Sequence, residues 1–197
     1  MIYKKTYNSP KIDKNEVLRY AKACADDATL MLLDKCILES EDKLTYNLCY
    51  GRFDIKILED ECDLGFCRVK SHSLALCLGE CSEIIVFGAT VGSGIDRLIS
   101  KYSIISPSTA VMLQALGSER VEALCDSFCR EMAEKYDLRP RFSPGYGDLP
   151  LHIQRDIFDA LRLTQNLGIN LNDNLFMTPT KSVTAIVGIK RGKNENS

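Results

Sequence analysis

The stretch EIIVFGATVGSGIDRLI, residues 83–99, joins a short apolar run to a helical pattern through a glycine-bearing turn. The run Ile84–Phe87 is rich in β-branched and aromatic side chains, which predicts a buried strand. A helix is expected from about Gly94. A strand, three glycines and a helix are the context of a nucleotide-binding loop, but the spacing is neither G-x-G-x-x-G nor that of a P-loop. We therefore interpret the glycines as a tight structural turn.

Helical patterns lie on both sides of this stretch. The longest covers 107–136, with a break possible at Gly117, and another covers 14–38. Asp13 is the expected N-cap of the earlier helix, and Glu16 completes a pattern like a capping box. The apolar stripe of the longer helix comprises Val121, Leu124, Cys125, Phe128 and Met132.

Shorter elements fill the rest of the chain. Residues 71–81 and 150–168 read as helices, 44–57 as a hairpin or two strands broken at Gly51, and 182–189 as a strand. Strands and helices do not alternate strictly, which predicts an α+β fold with a central antiparallel or mixed twisted sheet flanked by helices. We expect one domain over 1–191 and a disordered tail over 192–197.

Composition restricts the function classes. The 197 residues carry a net charge of −2, with a pI near 5.8, which argues against non-specific binding of nucleic acid. The N-terminus has no apolar region typical of a signal peptide, and no run approaches the length that spans a bilayer. The sequence favours a cytoplasmic protein.

Nine cysteines are present, an odd number in a chain without a secretion signal, which argues against a disulfide framework. Cys77/Cys81 and Cys125/Cys129 are each four apart, a spacing that would place each pair on one face of a helix. No C-x2-C pair of the kind that binds zinc occurs. We interpret most cysteines as small buried apolar residues and expect no metal. A cysteine-rich metal or redox protein remains an alternative.

The segment RFSPGYGDLP, residues 141–150, is rigid and irregular, with two prolines and two glycines. Arg141 offers a planar fork for a carboxylate, and Tyr146 offers a flat ring with a hydroxyl tip. We expect the backbone of so irregular a segment to leave polar groups unpaired and open to a ligand. This chemistry supports two interpretations equally. One is a ligand-binding segment, and the other is an irregular loop with an exposed arginine. We interpret Glu119 and Glu122 as part of a solvent-exposed helix face. Glu122 lies beside the apolar stripe of this helix, which would place it at the edge of a groove.

Four motifs resemble, in order, those of the activation domain of cobalamin-dependent methionine synthase. They are IVFGATVG at 85–92, LQALGSERVEAL at 113–124, R-x-x-P-G-Y at 141–146 and MTPTKSVTAIVG at 177–188. The resemblance implies an α+β domain that binds S-adenosylmethionine and sits over the corrin of a cobalamin-carrying domain. There it supports reductive reactivation of cob(II)alamin.

By position, Arg141 resembles the arginine that holds the methionine carboxylate, and Asp13 the aspartate that pairs with the amino group. Tyr146, our candidate catalytic residue, resembles the tyrosine that approaches the cobalamin. Glu122 resembles a glutamate of the same cleft, and the backbone of Ser143 would contact the ligand. The expected cofactor-binding residues are Asp13, Glu122, Arg141, Ser143, Gly145 and Tyr146.

The chain departs from the family. We expect the domain to end near 191, where long members continue into a hairpin, and GDLP replaces the usual Cys-Pro. The length leaves no room for homocysteine, folate and cobalamin domains, so we expect none of them. The resemblance therefore implies a stand-alone reactivation subunit, the accessory part of a methyltransferase. It would dock on a separate methionine synthase or related corrinoid protein, with a flavodoxin-type protein as a candidate electron donor. The alternative is a non-catalytic module that binds the corrinoid protein or senses S-adenosylmethionine.

Overall fold

The computed structural model describes residues 1–190, and the predicted tail at 192–197 lies outside them. Seven helices are described: α1 Lys14–Ala21, α2 Asp27–Ser40, α3 His72–Leu78, α4 Gly94–Ile105, α5 Pro107–Ala133, α6 Ile153–Leu161 and α7 Leu163–Leu167. The strands are β1 Ile2–Thr6, β2 Asn47–Asp54, β3 Lys56–Leu58, β4 Glu61–Asp63, β5 Arg68–Lys70, β6 Cys81–Thr90, β7 Asn170–Leu171, β8 Met177–Thr178 and β9 Ser182–Lys190.

The central sheet has four strands in the order β1-β2-β6-β9, and every neighbouring pair is antiparallel. This confirms the predicted α+β class with an antiparallel sheet. β6 is central and contains the predicted Ile84–Phe87 run. Two smaller sheets, β3-β4-β5 and β7-β8, were not predicted, and neither was β1.

The sheet separates two apolar cores, because successive side chains of a strand point to opposite faces. On one face, Ile85 and Phe87 pack with α1, α2, α4 and α5. On the other face, Ile84 and Val86 pack with α3, α6, α7 and the small three-stranded sheet. The result is a layer of helices on each side of the central sheet.

The helix predicted over 14–38 is two helices. Lys22 ends α1 in the left-handed region (φ 52°), and the Asp26 carboxylate caps α2 by accepting from the Thr29 amide at 2.8 Å. The helix predicted over 150–168 is likewise interrupted, at Arg162 (φ 49°). Gly168 follows α7 as the expected C-cap.

Two predicted breaks are wrong. β2 continues through Gly51. A Cβ added there would lie 3.0 Å from the ring of Phe53 and 3.3 Å from Leu161 of α6, so the absence of a side chain lets α6 pack closely against the sheet. α5 continues through Gly117, where a Cβ would lie 3.0 Å from Lys181 and 3.1 Å from Ile95. Both glycines permit close packing within regular elements.

The glycine-bearing turn after β6 is a structural turn, as expected. Gly92 has φ +79°, and a Cβ on Gly94 would lie 2.0 Å from the carbonyl oxygen of Lys43. α4 therefore begins directly against the backbone that precedes β2. Gly94 thus permits this close approach of two backbone segments, which agrees with a structural turn.

Candidate functional site

The segment 138–150 lies along the outer edge of β9 before it turns away. Leu138 bridges Ile189, and Phe142 bridges Ile186, with both Phe142–Ile186 amide-to-carbonyl distances 2.8 Å. The expectation that this backbone leaves its polar groups open is therefore wrong at Phe142. Because extended residues alternate in direction, Phe142 enters one core while Arg141 points toward α5.

Arg141 meets two carboxylates that lie one turn apart on α5. Its Nη2 is 2.7 Å from Oδ1 of Asp126 and 3.0 Å from Oε2 of Glu122. Burial of the guanidinium acts to lower its pKa, but the negative charges of the Cys125 and Cys129 thiolates, present only at high pH, and of the two carboxylates outweigh this and hold the pKa above its usual value. The structure thus brings into contact two residues, Arg141 and Glu122, that were each named separately as candidates for cofactor binding. Asp126 was not singled out from the sequence.

Two thiols of α5 lie beside the same guanidinium. Cys125 is buried and Cys129 half-buried. Burial raises the pKa of both thiols, that of Cys129 to about 11, and the positive charge of Arg141 opposes the change. Both cysteines are therefore neutral at physiological pH, which suits a packing role. The expected shared face holds for this pair, whereas Cys77 is in α3 and Cys81 in β6.

Tyr146 stands on a tight turn after Arg141. Its amide donates to the carbonyl of Ser143 at 3.1 Å, and Gly145 occupies the left-handed region with φ +84°. The ring of Tyr146 packs edge-to-face on Phe142, with 5.3 Å between ring centroids, yet Tyr146 is 69% exposed. The turn therefore displays a phenol to solvent. The hydrogen bond from the Tyr146 amide also uses the carbonyl oxygen of Ser143. Ser143 is half-buried, and its backbone is the part expected to contact the ligand.

Asp148 fastens the turn to the start of α3. Its Oδ1 accepts from the Ser71 hydroxyl at 2.6 Å and the Ser73 amide at 3.1 Å, and its Oδ2 accepts from the His72 amide at 2.8 Å. The Ser71 hydroxyl and these amides hold the pKa of the carboxyl well below its usual range. Gly147 (φ +58°) passes close to α3, since a Cβ there would lie 3.0 Å from Oγ of Ser73. The sequence marked GDLP only as a departure from the family.

Asp13 caps α1 as predicted. Its Oδ1 accepts from the amides of Asn15 at 3.0 Å and Glu16 at 3.2 Å. The Glu16 side chain pairs with Arg19 instead of closing a capping box. The Asp13 amide donates to Oε1 of Glu119 at 3.0 Å. Asp13 also lines an open cleft of about 450 Å³ with its neighbours from 11 to 15.

Glu119 is 3% exposed, so its assignment to a solvated helix face is wrong. It lies against Arg120, which is fully buried. Glu119 precedes Glu122 by one turn of α5, so Asp13 reaches the same helix that meets Arg141. Among the described residues, Asp13 and Arg141 make no direct contact. The two groups instead lie against successive turns of α5.

Among residues 1–190, no three His, Cys, Asp or Glu side chains are grouped so that they could hold a metal ion. Five cysteines are buried, as expected for apolar packing: Cys36, Cys49, Cys62, Cys81 and Cys125. Over the same residues, no helix has both the length and the apolar character to cross a bilayer.

Comparison with known proteins supports the resemblance seen in the motifs. Residues 129–192 match the family model of the vitamin B12 dependent methionine synthase activation domain. A crystal structure of the MetH reactivation domain bound to AdoHcy superposes with a TM-score of 0.69 at 15% identity, covering 96% of this chain and 78% of that chain. No curated protein matches. The predicted family resemblance is thus confirmed over that stretch, and the predicted fold is confirmed throughout the superposed chain.

Proposed function

We propose that this chain, which has the fold of the MetH reactivation domain and matches the activation-domain family over 129–192, binds S-adenosylmethionine. It would do so between α5 and the segment 141–150. As a separate subunit, it would dock on a cobalamin-carrying methionine synthase or related corrinoid protein. There it would support reductive reactivation, with a flavodoxin-type protein as the electron donor.

The observation that carries this proposal is the meeting of Arg141 with Glu122 and Asp126. The ligand bears a carboxylate, an ammonium and a sulfonium, so its site needs both a cation and anions. Both carboxylates of α5 engage Nη2 of Arg141, and within residues 1–190 its Nε and Nη1 have no hydrogen-bond partner. Nε and Nη1 lie on different edges of the guanidinium, and each shares its edge with Nη2, so each would donate to a ligand carboxylate beside the existing ion pairs. Glu122 and Asp126 would supply negative charge for the cationic groups.

Transfer of a methyl group needs a ligand held in one orientation, since a small displacement of reacting atoms slows a reaction strongly. The segment 141–150 meets this need through the Phe142 pairing with β9 and the fastening of Asp148 to α3. Both contacts flank Tyr146. The exposed phenol is thereby presented on a fixed turn to a partner that approaches from solvent.

Cobalamin held by the partner would supply the cobalt that takes the electron and then the methyl group. The contribution of this chain would be binding and orientation. Arg141 would hold the carboxylate and Asp13 the amino group, while Gly145 would let the backbone of the turn approach the ligand closely. Tyr146 would contact the flat face of the macrocycle.

Titration calorimetry with S-adenosylmethionine tests the binding step. We expect Arg141→Ala to weaken binding by about 10- to 150-fold, because hydrogen bonds to a charged group contribute about 1.5–3 kcal/mol. Arg130→Ala is the matched control, since Arg130 is exposed on the same helix and has no ion pair within residues 1–190. Equal affinity of the wild type and Arg141→Ala would contradict the assigned contact.

The reactivation step is tested with a separate cob(II)alamin protein, a reductant and S-adenosylmethionine. Formation of methylcobalamin that depends on this chain is expected. Binding of S-adenosylmethionine without methylcobalamin would instead identify the non-catalytic sensing or docking module. Tyr146→Phe and Tyr146→Ala separate the contribution of the hydroxyl from that of the ring.

A further inference from the structure

A buried ion pair on α5 joins the N-terminal segment to the candidate site. Arg120 is fully buried, and its Nε and Nη2 donate to the two carboxylate oxygens of Glu119 at 2.5 and 2.6 Å. Its Nη1 donates to the carbonyl of Pro10 at 2.5 Å, and Nη2 also donates to that of Lys11 at 2.9 Å. All three guanidinium nitrogens thus have partners.

Glu119 adds a third contact to the N-terminal segment, after the two that Arg120 makes with the carbonyls of Pro10 and Lys11. Oε1 of Glu119 accepts from the amide of Asp13 at 3.0 Å while it also accepts from Arg120. The backbone from Pro10 to Asp13 is therefore held at two carbonyls and one amide. These groups precede α1 and are not satisfied by its own helical hydrogen bonds.

This arrangement leaves part of the Asp13 carboxylate available. Oδ1 caps α1, whereas Oδ2 has no hydrogen-bond partner among residues 1–190, and the residue is exposed at the cleft it lines. Glu122, which meets Arg141, follows Glu119 by three residues, an axial rise of about 4.5 Å. The buried pair thus fixes the spacing between Asp13 and the Arg141 contact.

A buried ion pair adds little net stability, because desolvation offsets most of the attraction, and apolar residues of similar volume often serve as well. Setting the register between two segments is the best-attested use of such groups. Here the guanidinium binds backbone atoms of another segment, which an apolar side chain could not do. The contacts favour a positioning role over simple core filling.

We propose that Arg120 and Glu119 are positioning residues that set where the Asp13 carboxylate stands relative to α5 and to the contact of α5 with Arg141. This inference rests on the proposed binding of S-adenosylmethionine. Neither side chain touches the ligand. They act through the three backbone contacts, and loss of those contacts would let Asp13 move away from α5 while the rest of the site stays formed.

A double-mutant cycle tests the inference. Arg120→Lys keeps a cation beside Glu119 but loses the fork that reaches both carbonyls. Asp13→Asn keeps an N-cap oxygen and removes only the charge. Each is expected to weaken S-adenosylmethionine binding about tenfold, and the double variant also about tenfold, because both act on one contact. A double variant about a hundredfold weaker, or Arg120→Lys with wild-type affinity, would overturn the inference.

One control variant and one substitute variant separate positioning from general destabilisation. Leu98→Ala removes a buried side chain of α4 and should lower the melting temperature without changing affinity. Glu119→Gln serves if Arg120→Lys does not fold, with the same expected loss of binding.

Hydrogen exchange of the Asp13 amide gives a readout without ligand. Arg120→Lys should speed this exchange, and Asp13→Asn should not. If the wild type does not bind S-adenosylmethionine, the proposed function fails, and the exchange result still decides whether Arg120 holds Asp13. Unchanged exchange in Arg120→Lys would refute the positioning role.

Discussion

Replacing Gly94 with alanine tests the interpretation of the glycine-bearing turn, because the structure specifies what the new methyl group would meet. Its Cβ would lie 2.0 Å from the carbonyl oxygen of Lys43, 2.9 Å from the carbonyl carbon and 3.0 Å from Cβ of Lys43. Two of these atoms are backbone, so a rotamer change cannot relieve the contact. α4 or the chain before β2 must move.

Overpacking of a well-packed site costs about 1–3 kcal/mol when side chains can adjust, and here the backbone must adjust, so we expect at least about 3 kcal/mol. For a protein of this size, each kcal/mol shifts the melting temperature by about 2–4 °C, which predicts a fall of about 6–12 °C. Differential scanning calorimetry and urea unfolding measure both quantities.

Gly79→Ala is the matched control. Gly79 follows α3 with φ −50° and ψ −31°, and its added Cβ would have no contact shorter than 3.5 Å. Alanine fits this backbone and restricts the unfolded chain, so a gain of about 0.4–1 kcal/mol is expected. The same chemical change should therefore have opposite signs at the two sites. A Gly94→Ala protein as stable as the wild type would show that the described approach of α4 to Lys43 is wrong.

Two further predictions follow from the charge and burial of single groups. The Asp148 carboxyl has a lowered folded-state pKa, so the stability it contributes is present above the unfolded value of about 3.9 and is lost as pH falls through the folded value. The stability difference between wild type and Asp148→Asn should thus be largest near neutral pH and shrink below about pH 4, as measured by urea unfolding; a difference that grew on acidification would contradict it. Iodoacetamide should alkylate exposed Cys24 before buried Cys125, whose pKa burial raises, and peptide mass spectrometry gives the order; early modification of Cys125 would refute the described packing.

The long elements could be predicted because their signals are local. The Ile84–Phe87 run lies in β6, and the stripe from Val121 to Met132 lies on α5. The helix interruptions at Lys22 and Arg162 could not be predicted from the sequence. Both residues have a left-handed backbone conformation although neither is glycine, and the apolar periodicity continues past them. β1 is an outer strand with two lysines, so its sequence does not alternate between apolar and polar residues. No sequence pattern therefore predicted it.

Two residues of the candidate site were named from the sequence. Arg141 and Glu122, which the family resemblance assigned to one cleft, lie 3.0 Å apart. Asp126 follows Glu122 by four residues, and this helical spacing was the signal that could have found it. Glu119 was assigned to solvent because glutamates are usually exposed. Its burial depends on Arg120 and on a segment more than a hundred residues earlier in the chain, a pairing that no local pattern encodes.

The order of the central sheet bears on self-association. One boundary, β9, is already joined by Leu138, which bridges Ile189, and by Phe142, which bridges Ile186, so an incoming chain finds few free ladder positions there. The opposite boundary, β1, carries Lys4 and Lys5, and lysine on a bordering strand disfavours intermolecular pairing because a charge would be desolvated. The molecule thus protects its two borders by different means, one geometric and one electrostatic, and high salt weakens only the second.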